Sequence, residues 1–316
     1  MAYSNAGAII RHDINSYVLQ AASVETTLVA QKVLPALSVS SRAATYPKIK
    51  VSKGELLKAA ADTLRGANGS YNEISRSYES DSYDCLDRGL EERIDDAFTR
   101  DMDRFFDNEK ITAQMLLRNI MLAAEVRCAA KVMDTGVFTT TNGSVAYSEG
   151  NIATIDFAAD LSAAQERLAM YGQVANTLVL NLKLWNRIRR STKFQAYLFG
   201  NLPSGISRTV KPQDVGDEFG LNVVVAAGTK DTAKKGQTAS LSFIWPDSHV
   251  WLGNVQSGDF AAGGAGRTLV WSEDSDLYTT ETYREEGRRG DMVRVRQNCV
   301  EKIIDETAGQ LIATQV

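Results

Sequence analysis

Few residues of this 316-residue chain stand at spacings that could do chemistry. Gly228–Lys235 (GTKDTAKK) invites comparison with a phosphate-binding loop. That loop needs Gly before its Lys and Ser or Thr after it, so that backbone amides cradle a phosphate and the hydroxyl reaches a metal ion. Here those places hold Ala233 and Lys235, so the match fails and the segment reads as an exposed turn between two strands. Gly263-Gly264-Ala265-Gly266 would let amides approach an anion, but it neither follows a clear strand nor opens a helix, so it reads as a mobile surface loop. His12 and His249 are too distant in sequence to suggest a metal site or a Ser-His pair. Cys85, Cys128 and Cys299 are odd in number and widely spaced, which gives neither metal-ligand spacing nor a disulfide framework; they read as buried thiols in a reducing compartment. Glu91, Glu92, Asp95, Asp96, Asp101, Asp103 and Asp107 have the chemistry to hold divalent cations. Arg93, Arg100 and Arg104 interleave with them, which predicts a solvated or salt-bridged face instead. Catalytic, cofactor and metal residues are therefore all read as none. An enzyme reading would have to use the Gly200–Gly220 or Ser257–Arg267 loops, without a nucleophile–base pair to support it.

Composition narrows the classes further. The chain is 44% hydrophobic and 23% charged, ordinary for a soluble globular protein and long enough for one large core or two moderate ones. No apolar run approaches the ~20 residues of a membrane span. The beginning, MAYSNAGAIIRHDINSY, lacks a basic region followed by an apolar stretch, which predicts a protein made and used in a cytoplasm. A net charge of −4 argues against dedicated nucleic-acid binding, which shows as a basic excess.

The most informative elements lie in Gly172–Phe194 and Asn222–Val255. Thr177–Leu180 reads as a strand feeding an amphipathic helix, Leu182–Arg190, with Leu184, Trp185 and Ile188 on one face. Val223–Val225 reads as a strand, followed by a lysine-rich turn and an alternating strand with Ala239, Leu241, Phe243 and Trp245 on one face. Asp247-Ser248 then turns into Val250–Leu252. Residues 1–44 read as an arm over the main body, or as a helix packed on the chain's own core, with Val33-Leu34-Pro35 and Val39 extended. Tyr46–Val51 and Glu73–Tyr83 read as the two strands of a long polar excursion with a tip at Gly66–Ser70. A lone two-stranded hairpin is marginal in water and exposes both edges, so this one is either mobile or bound to something else. Leu90, Ile94, Phe98, Met102 and Phe106 recur every four residues and predict a helix. Lys110–Met133 predicts a long one, capped near Asp107-Asn108 and carrying Met115, Leu116, Ile120, Ala123, Ala124, Arg127 and Ala130 as its stripe. Asp160–Gly172 predicts another helix, Gly200–Gly220 a loop-rich connection, and Thr268–Trp271 and Asp291–Val295 strands.

In order and spacing these segments resemble the major capsid proteins of tailed bacteriophages. In that family an N-T-L-V-L strand and a Trp-bearing helix precede a t-A-k-k-G turn, an s-x-I-W…v-W-L hairpin and a C-terminal v-r-v…k-i-i-d…a-G-q-l-i pattern. The resemblance covers about 270 residues and least specifically the arm. It implies the α+β, Hong-Kong-ninety-seven-type capsid fold: arm at 1–44, long hairpin or E-loop at 45–89, peripheral domain with a spine helix (110–133) at 90–173, a mostly axial domain at 174–289, and a returning C-terminal strand at 290–316. It implies a major capsid protein of the virion, assembled in the bacterial host cytoplasm into pentamers and hexamers of itself around double-stranded DNA that it touches non-specifically. A modest acidic charge suits a wall that must not grip a polyanion. No long charged helical extension precedes the arm, which predicts a separate scaffolding protein; a portal protein and a decoration protein are further partners, and no cofactor is implied. Lys53, Lys58, Arg65 and Arg76 of the hairpin are expected to meet acidic groups of another copy, at Glu91, Glu92, Asp95 or Asp96, and Asn68 is a further expected inter-subunit contact. Asn68 and Lys58 match the cross-linking chemistry of some relatives in residue type only. An encapsulin-type storage shell is the alternative from the same fold.

Overall fold

The computed structural model describes residues 9–11, 14–16, 20, 27–48, 63–65, 69–71, 79–97, 107–200, 208–234 and 236–315. The strands, in chain order, are β1 (Ile9–Ile10), β2 (Ala36–Val39), β3 (Ala43–Lys48), β4 (Glu79–Asp84), β5 (Leu86–Asp95), β6 (Thr139–Asn142), β7 (Thr177–Asn181), β8 (Asn222–Ala226), β9 (Thr229–Asp231), β10 (Leu241–Phe243), β11 (His249–Gly253), β12 (Gly266–Trp271), β13 (Thr279–Glu285), β14 (Gly290–Ile303) and β15 (Gly309–Ala313). The α-helices are α1 (Ala30–Val33), α2 (Asn108–Val132), α3 (Phe157–Met170), α4 (Leu182–Ile188), α5 (Thr192–Phe199) and α6 (Pro212–Phe219).

Two sheets organise these elements. The first is six-stranded and built on β14. β5 lies antiparallel along one edge of β14 (Leu90 opposite Val295), while β13 and then β12 follow one another along the other. β2 joins β12 in parallel, which ties the arm into the sheet. The second sheet runs β6-β15-β11-β7-β8. All five residues of β7 are buried because it is covered on both faces, which is why its middle, Leu178–Leu180, is continuously apolar where a one-sided strand would alternate. The period of two then sorts its side chains: Leu178 and Leu180 join a core with α3, α4, α5 and α6, and Val179 points to the other core. Val250 and Leu252 against Trp251, and Ile312 against Leu311, repeat the division.

Helix α2 connects the two sheets. Asp107 caps it, its carboxylate accepting from Lys110 N at 3.2 Å, and Glu109 sits favourably in the first turn. Ala113, Leu116, Leu117 and Ile120 pack on Val293 and Val295 of β14. One or two turns later Cys128, Ala129 and Val132 reach the second core with Trp251 and Phe138. Trp251 lies over the cross-strand pair Gly253–Gly309. A Cβ on Gly309 would stand 2.5 Å from the Phe138 ring and 2.8 Å from Trp251 Nε1, so only glycine lets the indole lie there.

Several expectations from sequence need correction. Leu86–Asp95 is a strand, and the helix expected from Leu90 and Ile94 does not form there. A spacing of four satisfies both the helical period and twice the strand period, and pairing with β14 decided between them. Phe98, Met102 and Phe106 lie outside the described residues. On α2 the buried face runs 113–116–117–120 and then 125–128–129–132; Met115 is 62% exposed, and Ala123 and Ala130 also face outward. Val33 ends a helical turn and is not extended. Trp245 is buried, but Leu241 and Phe243 are 73% and 38% exposed, because β10 pairs only with β9 and nothing described covers its face. The Gly200–Gly220 connection contains helix α6, and β13 went unrecognised. Beyond Lys48 and before Glu79 the excursion lies mostly outside the described residues.

Candidate self-association surfaces

The base of the hairpin is rigidly built. β3 and β4 pair antiparallel from Ala43–Asp84 to Lys48–Glu79. Tyr46 stacks on Phe260 with centroids 4.7 Å apart, and Tyr83 stacks on the same ring at 6.2 Å. Cys85, Val39 and Leu269 complete this small core. Asp81 accepts from Tyr46 Oη at 3.1 Å and from Lys302 Nζ at 2.7 Å, which joins the hairpin to β14. Burial works to raise the Asp81 pKa, but the Lys302 contact and the Ser82 amide outweigh it and hold the carboxyl below its ordinary range. Burial and the neighbouring Asp81 charge push the Tyr46 phenol up.

Of the expected basic contacts, Lys53, Lys58, Asn68 and Arg76 lie outside the described residues. Arg65 is described: its Nε donates to Gly69 O at 2.7 Å, and its guanidinium lies over the Tyr71 ring at 5.1 Å. Leu64 and Tyr71 beside it are exposed large apolar side chains.

The expected acidic contacts lie on and just after β5. Arg294 Nη2 donates to Glu91 at 2.9 Å, Arg284 grips Asp96 at 2.6 and 2.7 Å, and Arg93 pairs with Asp95 at 3.3 Å. The strand register brings Arg294 there, since Glu91 stands directly opposite it. The acidic cluster is thus largely salt-bridged within the chain. Glu92, exposed on β5, has no ion-pair partner among the described residues. Asp101 and Asp103 lie outside them.

The residue that sequence reasoning missed is Glu125. Fully buried on α2, its carboxylate accepts from Val29 N at 2.9 Å, from Ala30 N at 2.7 Å and from Trp245 Nε1. It satisfies the free amides at the start of α1 and so fastens the arm to the long helix and to the Trp245 segment. The available signal was an acid placed one turn from Cys128 in an apolar helix. Two arginines do comparable work. Arg127 forms a bidentate pair with Glu301 (2.8–3.1 Å). Arg267, fully buried, donates to the carbonyls of Gly258, Gly263 and Gly266 at 2.7–3.2 Å, so the glycine-rich loop expected to be mobile is pinned from beneath. Gly264 there has φ 89°, a left-handed conformation that favours glycine.

The lysine-rich turn after β9 is organised by Asp231, which accepts from Ala233 N and Ser240 N at 2.8 and 2.9 Å; a carboxylate in that place disfavours a phosphate. His249 Nδ1 is hydrogen-bonded to the hydroxyl of its neighbour Ser248, at 2.8 Å. Among the described residues no three His, Cys, Asp or Glu side chains group as metal ligands, and no helix is long and apolar enough to cross a membrane. The described surface carries exposed apolar side chains in several places: Leu241 and Phe243 on β10, Met170 at the end of α3 and Val174 after it, Leu86 and Leu90 on β5. Such patches suit contact with protein.

No protein-family model and no curated protein sequence matches the chain. Solved structures do. A phage-related protein from Bordetella bronchiseptica RB50 is similar at TM-score 0.72 and 18% identity, over 97% of this chain and 97% of that one. The capsid of a native GTA particle is similar at TM-score 0.58 and 10% identity, over 92% and 91% of the two chains. A virus-like particle from Pyrococcus furiosus is similar at TM-score 0.55 and 12% identity, over 94% and 96%. The α+β fold is that of phage capsid proteins.

Proposed function

We propose that this chain is the major capsid protein of a tailed bacteriophage, a structural protein and not an enzyme. The observation that carries the reading is likeness to capsid structures over nearly the whole chain at once. The arm, the hairpin base, the long helix and both sheets support it as an ensemble. Many copies form rings of five and six that close into an icosahedral shell around double-stranded DNA, with a separate scaffolding protein, a portal and a decoration protein as partners. Subunits in a ring meet head-to-tail, so two different faces of one chain pair. Weak contacts suffice, because detachment requires breaking several neighbours' contacts together. The arm and hairpin enlarge those contacts; their domain bounds are those read from sequence, except that β5 belongs to the large sheet.

In this reading Lys53, Lys58, Arg65 and Arg76 meet the acids on and just after β5 of another copy, with Asn68 as a further contact between copies. Glu92 is the readiest acceptor, since Glu91, Asp95 and Asp96 already hold arginines of their own chain. Charge reversal at Arg65 and Arg76 together should impair assembly of a folded protein, and undisturbed shells would count against the pairing.

The deciding experiment is negative-stain electron microscopy of the protein expressed alone and with an adjacent scaffold-like gene. Shells, tubes or rings of five or six support the proposal, and DNA in native particles then separates a phage head from a storage shell, which would hold protein cargo. A uniform monomer or dimer under both conditions overturns it.

A further inference from the structure

Strand β5 pairs with β14 and with no other described strand, so its outer edge is open among the described residues. Its inner edge runs along β14 without a break in register, from Asp95–Gly290 to Leu86–Cys299. A long open edge is a template for another strand, and folded proteins blunt such edges by shortening, proline, a bulge or a cover. β5 has ten residues and no proline, its ladder has no bulge, and seven of the ten are exposed. Leu86 and Leu90 are 42% and 43% exposed. Arg88 stands between them on the same face, its Nε buried without an acceptor. Among the described residues, Asp87, Arg88 and Glu92 have neither a hydrogen bond nor an ion pair.

These residues complement their own copies. With two β5 strands antiparallel and Leu90 opposite Leu90, Arg88 meets Glu92, Asp87 meets Arg93 and Leu86 meets Ile94, opposed side chains sharing a face. Symmetry makes each of these pairs twice. A slip of two residues one way sets Asp87 against Glu91. The other way it sets Glu91 against Glu91 and Asp87 against Asp95. Like charges directly opposed are destabilising, so the charges select the register centred on Leu90.

We infer that β5 pairs antiparallel with β5 of a second copy across a two-fold axis at Leu90, making the first sheets of two copies continuous. The contact uses the same patch on both partners, unlike the head-to-tail contacts of a ring, and it requires no closed shell. It supplies Arg88 with a carboxylate and covers both leucines. Glu92, offered above to the hairpin's basic residues, meets Arg88 here; Arg88 takes no part in that other pairing, so R88E tests this one alone.

The test is disulfide trapping in the purified full chain, mildly oxidised and read on a denaturing, non-reducing gel, which serves free protein and shells alike. Directly opposed residues of an antiparallel pair have Cα atoms about 4.5–5.5 Å apart, within disulfide reach. The native thiols are buried. L90C should give a covalent dimer. L86C should not, because its own copy lies roughly 27 Å away along the ladder. In the L90C background R88E should lower the dimer yield about tenfold, and E92R likewise, whereas both together should restore it by reversing every pair. R88C with E92C serves if L90C does not fold. No trapped dimer in folded L90C or R88C/E92C, equal trapping of L86C, unchanged yield in R88E, or no restoration in the double swap overturns the pairing. A trapped dimer in protein that forms neither rings nor shells supports this contact while overturning the capsid reading; shells without the trapped dimer do the reverse.

Discussion

Replacing Glu125 tests how the arm is held. In Glu125→Ala three buried donors, Val29 N, Ala30 N and Trp245 Nε1, lose their common acceptor. Each buried unsatisfied donor costs about 1–3 kcal/mol, so the raw loss is about 3–9 kcal/mol. Removing a carboxylate that had been stripped of water gives back about 2–4 kcal/mol of that, which leaves an expected net loss of about 1–5 kcal/mol. Glu125→Gln keeps one oxygen but turns an NH2 toward the donors, and should cost about half as much. The assay is urea denaturation of unassembled protein, followed by tryptophan fluorescence, with amide exchange read at residues 29–34. Exchange should accelerate at Val29 and Ala30 in both variants, more than at β7. If Glu125→Ala unfolds within about 0.5 kcal/mol of the parent, as an ordinary surface change would, the carboxylate is not what fastens the arm.

Other expectations follow from single contacts. Gly309→Ala forces a methyl against Phe138 and Trp251 and should cost about 1–3 kcal/mol by overpacking, measured by the denaturation midpoint. Leu241→Ser on the uncovered β10 should change stability by under about 0.5 kcal/mol yet reduce assembly yield; unchanged yield would remove β10 from the contact surfaces. The three thiols are buried, and burial pushes Cys299 up to about 12, so native protein should resist a thiol reagent at pH 8 and react fully in denaturant. Asp81 has a folded-state pKa below its free value of 3.8, so its tie to Lys302 contributes above that value and is lost as pH falls through the lowered one. Exchange at β4 amides should therefore rise below about pH 4, and Asp81→Asn should abolish that pH dependence.

The elements legible from the residues are those whose cause is local. Helix α2 announces itself through Asp107 and an apolar repeat, and β7 through a short continuous apolar run bounded by Gly172 and the Asn181 cap. The order of such elements was enough to suggest the fold. Tertiary structure alone decided the rest, because the cause lay far along the chain. Leu86–Asp95 is a strand because residues 290–299 offer a ladder beside it; nothing in its own spacing distinguishes the two periods. β13 is polar and weakly patterned, and pairing with β14 makes it a strand. Leu241 and Phe243 alternate like core residues, yet no neighbour in the described chain covers them. Glu125 reads as an ordinary helical acid until the fold brings the start of α1, some 95 residues away, against it. A buried charge is stable only with partners that meet it in three dimensions, and sequence spacing does not show where those partners will be.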